Sequence, residues 1–189
     1  MKRKFNASIV AVLVACCAIF IGSCSKSGDD GGSGGDYYFR FKANGATVDY
    51  SNTIKQAYYP GTTSVNTTTT GVSGFSAIIS ATADINQVLR NAVSVVMNGD
   101  AAFTTGIDYT TASNSPLALM NFGYYDNSGK LFVMSKSLNI VNNPGSATVR
   151  YSVINDDIIQ GVFSAHLYDN TLNAHVQITE GEFRVKRKP

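Results

Sequence analysis

Ala147-Thr148-Val149-Arg150-Tyr151-Ser152-Val153, and beyond a polar Asn155-Asp156-Asp157 the run Gly161-Val162-Phe163-Ser164-Ala165-His166-Leu167-Tyr168, is the stretch that decides the fold. In both runs apolar residues alternate with polar ones, the period of a half-buried strand. The returning segment has Ala174, Val176 and Ile178 on even positions, whereas Phe163, Ala165 and Leu167 are odd. Inward-facing partners of an antiparallel pair must then sum to an odd number. A two-residue loop at Asn170-Thr171 meets that condition, and so does a four-residue loop. Past Glu180-Gly181 the apolar residues move to odd positions, Phe183 and Val185. A change of parity needs one extra residue, so a β-bulge is expected there, with Gly181 taking a positive φ.

Upstream the same grammar continues. Tyr38-Phe39-Arg40-Phe41-Lys42 opens the domain, and Gly74 to Thr82, Ala92 to Met97 and Leu117 to Tyr125 supply further strands. Ala92 to Met97 is nearly all apolar and reads as buried on both faces. Turn signals stand between the runs at Asn44-Gly45, Asn98-Gly99-Asp100, Asp126-Asn127-Ser128-Gly129 and Asn142-Asn143-Pro144-Gly145. No segment keeps a 3.6-residue period for three turns; Asp84 to Arg90 is the best helical candidate, two turns at most. Residues 37–189 therefore read as one all-β domain, an antiparallel β-sandwich or sandwich-like barrel with little or no helix. A chain of that length buries about two-thirds of its unfolded surface.

The start of the chain gives an address. Lys2, Arg3 and Lys4 precede the apolar run Ile9 to Ile21 and a small-residue exit, the layout of a secretory signal peptide. At about 1.5 Å per residue that run is too short to cross a hydrocarbon core of about 30 Å as a helix. Cys16 and Cys17 would leave with residues 1–23, and Cys24 would then be the single cysteine, so no internal disulfide is expected. Residues 24–36, rich in glycine, serine and aspartate, form a tether with a root-mean-square reach of about 19 Å. Loss of the signal leaves 15 − 3 = 12 basic against 13 acidic residues, no electrostatic case for nucleic acid. Lys186-Arg187-Lys188 reads as a solvated basic end.

Ile21-Gly22-Ser23-Cys24 resembles the lipobox of bacterial lipoproteins, which implies diacylation of Cys24 and cleavage before it. Cys24-Ser25-Lys26-Ser27-Gly28-Asp29-Asp30 is similar to the acidic export signals of Bacteroidetes lipoproteins. That likeness implies an outer-membrane anchor with the domain facing outward; the periplasmic face is the alternative. Gly161-Val162-Phe163-Ser164 and Ile178-Thr179-Glu180-Gly181-Glu182-Phe183 resemble the closing strands of Bacteroidetes lipoproteins with a β-rich domain of unknown function. Thr105-Gly106-Ile107-Asp108-Tyr109 is similar to their mid-domain Gly-x-Tyr element, with one extra residue before the tyrosine. The resemblance implies a fold and an address and brings no activity. Two buried acyl chains anchor stably where one is marginal. Cys24→Ser is therefore expected to yield an unprocessed or soluble product, measured by membrane fractionation; a mature-sized product that stays with the membrane would contradict it.

Candidate chemistry is sparse. His166 and His175 flank the last turn, and with a loop at Asn170-Thr171 they would be direct cross-strand neighbours on the outward face, with Asp169 nearby. No third ligand is evident, so no metal is assigned there. Asp156-Asp157 reads as a turn in which aspartate satisfies backbone donors. No run of alternating acids supplies the oxygens calcium needs. No Gly-x-Ser-x-Gly elbow and no phosphate-cradling glycine loop is present, and paired carboxylates for glycoside cleavage could converge only in space. Gly61 to Thr70 reads as a polar loop, and Asn66-Thr67-Thr68 as an acceptor motif without meaning in a bacterial lipoprotein.

Ten tyrosines without a tryptophan are the most suggestive compositional feature. Adjacent tyrosines on a strand point to opposite faces, so one can pack while its neighbour meets solvent. Tyr58, Tyr59, Tyr124 and Tyr125 are therefore the candidate ligand contacts, able to stack on a sugar or anchor a protein, although ordinary β-propensity, which favours tyrosine on sheets, explains them more simply. The expectation is a lipid-anchored, non-catalytic binding or structural module without a cofactor, contacting a glycan or protein. A small secreted hydrolase whose acids meet only in the fold is the alternative, and a subunit of a larger envelope complex a third.

Overall fold

A computed structural model describes residues 37–51, 57–64, 73–83, 89–112, 115, 117–136 and 144–187, with backbone alone at 57–64 and 73–74. The signal segment, Cys24, the tether, residues 65–70 and most of the helical candidate at 84–90 lie outside the described residues. Among the described residues there are eleven strands and no helix. They are β1 (Tyr38–Ala43), β2 (Ala46–Asp49), β3 (Ala57–Ser64), β4 (Ser73–Thr82), β5 (Ala92–Gly99), β6 (Asp108–Thr110), β7 (Leu117–Tyr125), β8 (Leu131–Lys136), β9 (Ser146–Ile154), β10 (Ile158–Tyr168) and β11 (His175–Lys186). Residues 61–64, expected in a loop, are strand: Gly61 to Ser64 pair with Ser76 to Ser73. Backbone pairing with a neighbour overrides a polar composition that by itself reads as loop.

The strands run antiparallel in the order β2-β1-β11-β10-β8-β7-β5-β4-β3, a strongly curled half-barrel sheet. β10 is where the sheet forks. One edge pairs with β11 from Ile158 to Tyr168, while the other is shared. Ile159 to His166 face β9, which carries β6, and Tyr168 alone bridges to Val133 of β8. Curling brings the inner faces of β10 and β1 against that of β7, Phe163 against Phe122 at 5.8 Å and Phe41 against Tyr124 at 5.5 Å.

The alternation read from β9, β10 and β11 is the alternation of burial. Ala147, Val149, Tyr151, Phe163, Ala165, Leu167, Val176, Ile178, Phe183 and Val185 all face the core. Full burial of such a side chain contributes about 1.5–3 kcal/mol, so a one-residue slip of any of these strands would forfeit several of them at once. β5 differs from expectation. Val93, Val95 and Met97 are buried, but Ala92, Ser94 and Val96 are only half-buried. The core lies on one side of this strand, so the apolar run overstates its burial.

The expected bulge is present, and its chemistry is divided between two residues. Phe163 pairs with Gly181 and Ala165 with Ile178, so Thr179 and Glu180 together face Ser164. The positive φ falls on Glu180, at 51°, and not on Gly181. Glu180 projects outward, where its carboxylate meets Lys42, while Gly181 lies under the Phe163 ring. A Cβ there would stand 2.5 Å from the Phe163 carbonyl oxygen and 2.7 Å from its ring. Close approach, and not backbone conformation, is what requires glycine at 181.

The last turn takes the longer of the two loops. Tyr168 pairs with His175, and the Asp169 amide donates to the Ala174 carbonyl at 2.9 Å, which leaves residues 170–173 as a four-residue loop. The Asp169 carboxylate organises it, accepting from the amides of Asn173 (3.0 Å) and Ala174 (3.2 Å) and the Thr171 hydroxyl (3.1 Å), and pairing with Lys130 at 3.1 Å. Burial pushes this carboxyl up, but the bonds from Ala174, Lys130, Thr171 and Asn173 outweigh it and hold the pKa at about 2. A depressed carboxyl pKa contributes stability above its unfolded value of about 3.9 and loses it as pH falls through the folded value. Between about pH 4 and pH 2 the thermal midpoint should therefore fall more steeply in the wild type than in Asp169→Asn. Parallel melting curves across that range would exclude the role.

At the turn between β9 and β10 the donors are satisfied by Asn155, not by the aspartates. Its side-chain oxygen accepts from the amides of Asp157 (2.9 Å) and Ile158 (2.8 Å). Arg187, read as part of a solvated end, is tied to the same turn, with Nη1 donating to the Asn155 carbonyl at 2.8 Å. The strand pairing of β10 with β11 carries Arg187 there, which a linear reading does not show.

Candidate functional site

The outward face of β6, β9, β10, β11, β1 and β2 carries a cross-strand row. Asp108 pairs with Arg150, Arg150 with Val162, Val162 with Glu182, Glu182 with Arg40 and Arg40 with Asp49. Charges alternate along it around one aliphatic side chain, and Val162 is 52% exposed. Arg150 grips Asp108 with a fork, Nε to Oδ1 at 2.7 Å and Nη2 to Oδ2 at 3.2 Å. Arg40 pairs closely with Glu182, and Lys42 Nζ lies 2.8 Å from Glu180 Oε1. Arg150 and Arg40 meet their acids directly across the strands, and Lys42 reaches Glu180 from opposite Thr179.

A depression of about 500 Å³ opens in this face, lined by Asp108, Thr148, Arg150, Val162, Ser164, Glu180, Gly181 and Glu182, with Phe163 at its floor. The extra residue of β11 at Thr179-Glu180 lies at this level. Three carboxylates reach the rim, each held against a cation of the same face. The polar groups therefore present both signs of charge in fixed positions.

The tyrosines singled out from the sequence do not build this place. Tyr124 is 6% exposed, set edge-on to Phe41 at 5.5 Å and stacked near Phe132 at 6.5 Å. Burial, followed by the charge of Asp126, pushes its phenol up. It offers no surface to a ligand. Tyr125 points the other way and is half-buried, as adjacent positions on a strand require. Tyr58 and Tyr59 pair through their backbones with Ile79 and Ile78, and their side chains lie outside the described residues.

The histidines are not direct partners, because the loop is four residues long. His166 faces Gln177, and His175 faces Tyr168. They meet on the diagonal, ring centres 5.1 Å apart, with the Tyr168 ring 4.8 Å from His166 and 5.9 Å from His175. Among the described residues no cluster of three His, Cys, Asp or Glu side chains is placed to hold a metal. Asp169, the nearest acid in sequence, is engaged by the turn and Lys130.

Sequence reasoning passed over Arg150, Val162, Glu180, Glu182 and Asp108. Each is an outward residue of ordinary type, and only strand register sets them side by side. An apolar residue at the outward position Val162 was the one signal available. Comparison with known proteins finds no family model, no curated sequence and no solved structure that matches this chain.

Proposed function

We propose that the domain is a non-catalytic binding module, held on the outer membrane through a lipid on Cys24, and that it docks a protein partner on the depression around Val162. The observation that carries this reading is the alternating Asp108–Arg150–Val162–Glu182–Arg40 row beside a 500 Å³ depression. Charges of both signs around an aliphatic residue suit a polypeptide surface, because complementary charges set register and exclude wrong partners. A sugar would ask for an exposed aromatic platform, and the lining supplies none. A Gly/Ser/Asp tether of that length would give a reach of about 19 Å, enough for the module to reorient toward its partner.

A photo-crosslinking residue at position 162, in cells carrying the full-length protein, tests the proposal. A discrete adduct is expected, reduced several-fold by Arg150→Glu or Glu182→Arg, since reversing one charge leaves a repulsive contact. Adducts no stronger than those from the exposed position Leu89, or indifferent to both reversals, would sink it.

The hydrolase alternative keeps one supporting observation, that Asp108, Glu180 and Glu182 line the same depression. All three are paired with Arg150, Lys42 and Arg40. Catalysis would require one of these pairs to open and free an acid for proton transfer.

A further inference from the structure

We propose that His166 and His175 form a surface site for a borderline transition-metal cation, Cu²⁺ above Zn²⁺, with water in the remaining coordination positions. The site lies on the hairpin of β10 and β11 and is independent of the depression around Val162.

The geometry follows from the register. His166 faces Gln177 and His175 faces Tyr168, so the histidines occupy diagonal positions of an antiparallel pair. Diagonal neighbours lie about 7–8 Å apart at the backbone, within reach of ring side chains when the strand twist brings them together. Here it brings the ring centres to 5.1 Å. Two imidazoles on one ion, each through an N–metal bond of about 2.0–2.1 Å, hold their ring centres roughly 4.5–5 Å apart, whether cis on a tetragonal ion or on a tetrahedral one. The rings of the free protein stand near that separation with their planes at 89°, so rotation of the side chains is what must aim one nitrogen of each at the ion.

The surroundings are compatible with a cation. Tyr168 walls one side, its ring 4.8 Å from His166 and 5.9 Å from His175. His175 is exposed and His166 half-buried, so an ion can enter from solvent. Asp169 does not join the site, because its carboxylate is spent on Lys130 and the turn amides. Two imidazole ligands without a carboxylate or thiolate suit nitrogen-loving ions, which places Cu²⁺ first in affinity and disfavours Mg²⁺ and Ca²⁺.

The test is titration of the full-length chain with Cu²⁺, then Zn²⁺, by calorimetry, with Cys16, Cys17 and Cys24 alkylated in every sample. One ion per chain is expected. His166→Gln and His175→Gln should each weaken binding about tenfold or more, and the double variant should lose it. Melting curves without metal confirm that the variants fold, and added Cu²⁺ should raise the midpoint of the wild type alone. Absence of saturable Cu²⁺ binding overturns the proposal. So does binding that survives in the double variant, or that depends on only one of the two histidines.

Discussion

Replacing Phe163 with alanine is expected to lower the unfolding free energy by about 3–5 kcal/mol, the cost of deleting a large aromatic side chain that its surroundings cannot refill. Phe163 is 5% exposed and sits on β10, the strand from which both branches of the sheet depart. Its ring centre lies 5.1 Å from Phe39, 5.7 Å from Phe41, 5.8 Å from Phe122 and 6.2 Å from Phe183. Those rings come from β1, β7 and β11, so the cavity would open where several strands meet and no single one can close it. A small domain is stable by about 5–15 kcal/mol, and this one variant would remove much of that. Urea unfolding followed by circular dichroism measures the effect. Val162→Ala, one residue away and pointing outward, should stay within about 0.5 kcal/mol of wild type. A loss below about 1 kcal/mol for Phe163→Ala would mean that β1, β7 and β11 do not pack through this ring.

Gly161→Ala should destabilise by about 3 kcal/mol, against the usual sign for glycine in a strand. Ordinarily alanine gains about 0.5–1 kcal/mol over glycine, because the unfolded chain has less freedom to lose. At 161 the new Cβ would stand 2.3 Å from the Arg150 carbonyl oxygen and 2.8 Å from Cζ of Phe183. The first is backbone, in a strand bulged at this level: Gln160 pairs with Val153 but Gly161 with Tyr151. Relief requires β9 to move off β10 or Phe183 to leave its place in the core, and overpacking of that kind costs about 1–3 kcal/mol or more. Comparison of thermal midpoints with Gly45→Ala, where a Cβ meets nothing within 4 Å, separates this clash from strain at a positive φ. A neutral or stabilising Gly161→Ala would contradict the close approach of β9.

Much of the fold is legible in local alternation. The faces of β9, β10 and β11 follow from period two, and the parity change past Glu180 locates a bulge within a residue of where it lies. Asn44-Gly45 marks a hairpin, and both residues take positive φ there. The misreadings share a cause. Gly61 to Ser64 reads as loop and Val96 as buried on both faces, yet each depends on what lies beside the strand. Composition carries no record of a neighbour that is distant in sequence.

The candidate site was the least legible part, for the same reason. Asp108 and Arg150 are 42 residues apart in the chain, and Arg40 and Glu182 are 142 apart. Each is a common charged residue on the polar side of its own strand. Their alignment into one row, and the diagonal meeting of His166 with His175, are consequences of register, and register changes with every residue of a loop or bulge. The four-residue loop at 170–173 alone converts two direct partners into diagonal ones.

Local pattern is enough to read the described part of the domain as antiparallel strands, to tell which side of the last three faces the core, and to find an extra residue in β11. Those properties rest on the two-residue repeat of an extended chain, which is written locally. Long-range pairing settles how β10 divides its edge between β9 and β8, how far the sheet curls before Phe163 meets Phe122, and where the depression around Val162 forms. Each of these depends on which strands find one another and at what offset, a balance of packing and loop closure over the whole chain that no single segment contains.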